Sequence, residues 1–155
     1  MKKRAVMVAV LFSVLFIGLG CHKETEQDKV KKVITDCQKA VEGKDVKRII
    51  TSLSKTYRDP QGFDYDSIKG LLLGYFFRHQ KISVYISGFE VTVEDTAAKA
   101  VFQAVLTGGN TAGSASDLLP EALGIYAFEV SLRKESGDWM ISSAKWEREG
   151  EVKGN

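Results

Sequence analysis

The sequence is short of several things, and each shortage excludes a class of function. It has two histidines, His22 and His79, and no carboxylate stands at metal-ligand spacing from either, so no metal site is expected. No glycine-rich phosphate loop follows a strand, and GGNTAG lacks the lysine such a loop uses, so no cofactor is implied. Basic and acidic residues are nearly balanced, 22 against 20, and Lys29, Lys31 and Lys32 are flanked by Asp28 and Asp36. That is a solvated helix face and not the basic stripe a nucleic acid requires. No apolar run reaches a full bilayer crossing. The apolar stretch Ala5 to Leu19, which carries no charge, extends roughly 22 Å as a helix, short of the roughly 30 Å of hydrocarbon.

What stands at that N-terminus is Lys2, Lys3 and Arg4, then the apolar stretch, then small residues ending in Gly20 and Cys21. This resembles a bacterial lipoprotein signal peptide, although Gly18 occupies the position where that family usually carries leucine. The resemblance implies cleavage after residue 20 and acylation of Cys21, which would tether the protein to a membrane through its first mature residue. Two or more acyl chains hold stably where one binds marginally. The residue after the lipidated cysteine, His22, favours the outer membrane, facing the periplasm, as the location in the cell envelope. Without its leader the chain carries 19 basic and 20 acidic residues. Cys37 is then the one remaining thiol, so no internal disulfide can form.

The remaining length, about 135 residues, suits one domain that buries nearly 70% of its unfolded surface without staples. The division expected is 1–20 leader, 21–28 lipidated tether, 29–148 domain and 149–155 polar tail. Thr25 and Asp28 are spaced as a capping box, and Val30, Val33, Ile34, Cys37 and Val41 recur at helical period up to Gly43, expected as the left-handed stop. Cys37 on that apolar face is expected to be buried and inert. Asp45 is expected to cap a second helix through Ile49, Ile50, Leu53 and Tyr57. The phrase TYRDPQGFDYDS breaks the pattern, and Asp64 or Asp66 then caps a third helix ending near His79.

Beyond Lys81 the period becomes two. Ile82, Val84 and Ile86 hand over to Phe89, Val91 and Val93 across Gly88, where a bulge explains the change of phase. Ala98 to Leu106 alternate as a hairpin partner, and two closing strands, Ile125 to Lys134 and Asp138 to Glu147, flank a turn at Gly137. In the last strand Trp139 and Ile141 are expected on one face, with Met140, Ala144 and Trp146 on the other. The long small-residue stretch from Thr107 to Gly124 is expected to be a loop, with Ser116 or Asp117 opening one helical turn at Leu118 and Leu119.

Three helices and a curved four-stranded antiparallel meander make an α+β cone, since only a curled sheet wrapping the helices buries both apolar faces. KAVEGKDVKRIITSLSKTYRDPQGFDYDSIKGLL, followed at the end by GDWMISSAKWER, is similar to the nuclear transport factor 2-like superfamily of the cystatin-like fold. That resemblance implies a pocket between sheet and helices, used by different members for catalysis, ligand binding or protein contact, and pairing of cones into a homodimer through their sheets. The residues expected to line it are Tyr57, Tyr85, Phe102, Tyr126, Phe128 and Trp139. Enzymatic relatives place an ionisable group there, for which Asp59, His79 and Tyr57 are the candidates. The expectation is a non-enzymatic envelope lipoprotein binding a small apolar ligand or an envelope protein. The alternative is a small isomerase, dehydratase or cyclase.

Overall fold

The computed structural model describes residues 23–109 and 121–149. The leader, Cys21 and the helical turn expected at Leu118 lie outside them. Helix α1 spans Glu26–Glu42 and opens on the full capping box, the Thr25 hydroxyl accepting from the Asp28 amide while the Asp28 carboxylate accepts from the Thr25 amide. It therefore starts inside the stretch expected as tether. At its end the left-handed residue is Lys44, φ 53°, and not Gly43, whose φ is −81°.

Helix α2, Val46–Thr51, is capped by Asp45 as its sequence demands, but it stops six residues before Tyr57. The cause is tertiary. Residues 52–58 run beside the last strand, the Ser54 and Arg58 amides donating to the carbonyls of Ile141 and Ser142 and the Ile141 amide donating to Ser52. A strand edge that offers hydrogen bonds outcompetes one more helical turn. Helix α3, Ser67–Arg78, is held at its start by Asp64, whose carboxylate accepts from the Ser67 amide, while Asp66 makes no capping bond.

Four antiparallel strands follow in sequential order: β1 Lys81–Glu94, β2 Ala97–Gly109, β3 Glu121–Glu135 and β4 Asp138–Arg148. The two inner strands, β2 and β3, were expected shorter and the loop between them longer. The register of β1 against β2 slips between Ser87 and Glu90, with Gly88 at φ 60°, so the expected bulge is present. A second bulge, not expected, lies in β4, where Ser143 pairs with Ser131 but Ile141 with Leu132. The extra residue, Ser142, reverses the alternation. Trp139, Ile141, Ala144 and Trp146 consequently share the concave face, which corrects the expectation that they divide between two.

Helix α1 crosses the concave face and also closes the border of β1, where Gln38 donates to the Val84 carbonyl at 2.7 Å and Glu42 accepts from the Val84 amide at 2.9 Å. Its first turn reaches the far side of the sheet. Glu26 accepts from Lys134 at 2.9 Å and from the Trp139 indole at 2.8 Å. The core between helices and sheet is built from Val30, Ile34, Ala100, Val130 and Leu132. Among the described residues no helix is long and apolar enough to cross a membrane.

Candidate functional site

The concave face is unevenly filled, and that is how the cavity arises. On β2 the buried inward positions include Ala98, Ala100 and Ala104, whose side chains reach only a short way toward the helices. Next to them runs an aromatic row. Phe89 meets Phe102 edge-on at 5.4 Å, Phe102 stacks on Phe128 at 5.2 Å, and Phe128 continues to Trp146 at 6.5 Å and Phe63 at 6.3 Å beyond it. Large floor residues beside small ones, roofed by α1 and α3, leave a cavity of about 540 Å³. That size lies within the roughly 300–1000 Å³ usual for small-molecule sites.

Its walls are almost wholly apolar. Among the described lining residues there is no carboxylate, imidazole, ammonium or guanidinium. The polar groups among the described lining residues are the Cys37 thiol, two amides, three phenols and the Trp146 indole. Gln38 is committed to Val84, and Gln61 donates to the Trp146 carbonyl at 3.0 Å. Burial pushes the Cys37 thiol up, which keeps it protonated and poorly nucleophilic. The Tyr75 hydroxyl is buried with no hydrogen-bond partner among the described residues, and its pKa is raised by that same burial.

Of the residues expected to line the site, Tyr57, Phe102, Tyr126 and Phe128 come together in it. Tyr85 and Trp139 do not. Tyr85 is 62% exposed on the convex face, in the row Tyr85, Val105, Ile125, because it alternates with the buried Val84 and Ile86. Trp139 is buried at the far end of β4 and turns its indole to Glu26.

Asp59 is buried and lies outside the lining, with both carboxylate oxygens occupied. One accepts from the Phe63 amide at 3.0 Å and the other from the Tyr57 hydroxyl at 2.9 Å. The backbone of Asp59 also pairs with Phe63 and Gly62. It is the clasp of the Asp-Pro turn and not a base facing the cavity. Tyr57 is held by the same clasp. Burial, and then the adjacent carboxylate, raise its pKa well above the ordinary phenol value, so it stays a donor. His79 ends α3 with its ring 4.7 Å from that of Tyr75, and it too lies outside the lining.

The sequence reading missed Trp146, Phe63 and Tyr75. The Ser142 bulge hides the first, since simple alternation points Trp146 away from Ile141. Tyr75 was legible as an apolar-face residue of α3 but not as an unpaired hydroxyl. Among the described residues no group of three or more His, Cys, Asp or Glu side chains could hold a metal ion.

No protein-family model matches the chain, and no curated protein does. Solved structures do match. A cystatin-like-fold protein of unknown function from Nostoc punctiforme has a TM-score of 0.66 at 10% identity, over 83% of this chain and 96% of that one. A nuclear transport factor 2-like protein from Novosphingobium aromaticivorans has a TM-score of 0.66 at 12% identity, over 99% and 92%. A candidate dehydratase of the nuclear transport factor 2-like family from Streptomyces avermitilis reaches 0.67 at 12% identity, over 78% and 94%. The chain spans 40% of the length of another match, Bdellovibrio bacteriovorus Bd1075. At such identities the likeness concerns architecture, and the architecture of this chain is the cystatin-like cone of the nuclear transport factor 2-like proteins.

Proposed function

We propose that this protein is a non-enzymatic envelope lipoprotein, tethered through acylated Cys21, whose cone takes up a small, predominantly apolar ligand. The observation that carries the reading is the cavity: about 540 Å³, walled by aliphatic and aromatic side chains, with no ionisable group among its described lining residues stronger than a thiol or phenol. Filling such a space with an apolar molecule removes hydrocarbon surface from water at roughly 25 cal/mol per Å². An acid–base enzyme needs a proton acceptor near the operating pH facing the substrate. Asp59, the best sequence candidate, spends both oxygens inside its own turn. The likeness to a candidate dehydratase is the support for the alternative, a small enzyme working from the cone.

Two measurements test the proposal. Titration with the apolar dye N-phenyl-1-naphthylamine is expected to show saturable binding, weakened at least roughly tenfold by Ala104→Phe, which drives a ring into the cavity. Leu106→Trp on the same wall serves as the second variant should the first fail to fold. Unchanged dye affinity in a folded variant would show that the cone is not the binding site. Cys21→Ser is expected to abolish acylation, read by mass spectrometry of the mature N-terminus.

A further inference from the structure

Helix α3 is apolar on two sides. Leu71, Leu72, Tyr75 and Phe76 face the cavity, yet Leu73 is 52% and Phe77 90% exposed on the opposite side. These two are four residues apart and so stand one above the other on the helix surface. Gly70 and Gly74 lie beside them, and a Cβ at either would meet nothing within 4 Å, so this face is open. Lys69, one turn before Leu73 on the same stripe, and Arg78, directly after Phe77, are both exposed, and neither forms an ion pair among the described residues. Lys81, three residues beyond Arg78, is also exposed. An isolated exposed leucine is ordinary. A stacked pair, one member almost fully in water, edged by unpaired cations, is the pattern of a segment that lies in a membrane interface.

We infer that the outer face of α3 docks on an anionic lipid surface, Leu73 and Phe77 entering the headgroup boundary while Lys69, Arg78 and Lys81 meet lipid phosphates. Charge complementarity selects this occupant, since a purely apolar partner surface would leave the basic rim unmatched. The contact goes beyond the tether at Cys21 and is measured separately from it. It also turns toward the bilayer the helix that walls the cavity, so the ligand side and the lipid side are the two faces of one element.

The test uses the full chain in mixed phosphatidylcholine and phosphatidylglycerol vesicles carrying brominated acyl chains. Phe77→Trp reports the docking face and Tyr85→Trp, on the convex face, is the control, each read as the difference from the wild-type emission. Docking places the tryptophan at 77 about 5–10 Å into the boundary, with quenching roughly threefold that at 85. Lys69→Glu with Arg78→Glu, or about 1 M salt, where the Debye length is about 3 Å, is expected to remove that excess. Equal quenching at the two positions, or quenching at 77 that ignores charge reversal, overturns the inference. So does a blue shift at 77 that grows with protein concentration in the absence of vesicles, which would assign the face to a second copy. The mass of the N-terminus is independent of all these readouts. Failed docking on a chain acylated at Cys21 therefore leaves the tethered reading standing.

Discussion

The Tyr75 hydroxyl is a small local defect whose cost can be measured. A buried hydroxyl without a partner gives up its water for nothing, a penalty of about 1–3 kcal/mol. Tyr75→Phe removes the oxygen and keeps the ring, so the ligand-free protein is expected to gain about 1 kcal/mol in urea unfolding. A loss of that size instead would mean the hydroxyl has a partner in solution. Asp59 teaches the opposite lesson. Its carboxylate is fully satisfied, and its place before Pro60 is one that favours a turn residue. At this scale sequence identifies which residues are chemically interesting. It does not tell which of them are already engaged by near neighbours, because Tyr57 and Phe63 reach Asp59 only once the turn has closed.

Elements were legible where one residue both announces and performs a backbone deviation. Gly88 sits at the phase change of β1 and takes φ 60°, a conformation that favours glycine. Gly88→Val is expected to cost about 1–2 kcal/mol, read as a lower urea midpoint, whereas Gly88→Asn costs less because asparagine tolerates the left-handed region. The bulge at Ser142 carried no such marker, because a serine there is compatible with unbroken alternation. The premature end of α2 was hidden for a different reason. Ile49, Ile50, Leu53 and Tyr57 fit a helical period, but the hydrogen bonds that compete for residues 52–58 come from β4, some ninety residues downstream. Local period cannot weigh a distant edge.

For the molecule as a whole, the first helical turn is fastened to the last hairpin by Glu26. Hydrogen bonds from Lys29 above all, then from Lys134 and the Trp139 indole, lower its pKa from 4.5 to about 2. A carboxyl whose pKa is depressed by folding stabilises the fold above its unfolded value and loses that contribution as protons bind. The melting temperature is therefore expected to fall as pH drops from about 4.5 toward 2, and Glu26→Gln is expected to flatten that part of the curve. An identical slope in the variant would move the acid-sensitive group elsewhere. The global architecture was read correctly from period and order, three helices and then a four-stranded meander, because each element carries its own pattern. The cavity was only partly legible, since an unfilled volume is a difference between small and large residues drawn from all three helices and all four strands.

The borders of the sheet carry one more consequence. At Val84 the outward-facing amide and carbonyl of β1 are taken by Glu42 and Gln38, and at Ile141 and Ser142 those of β4 are taken by the 52–58 segment. A foreign strand laid along either margin finds those groups engaged. Growth by edge-to-edge addition, the route by which sheet proteins run on into fibres, is thus denied a starting point at these places, however crowded the molecules become.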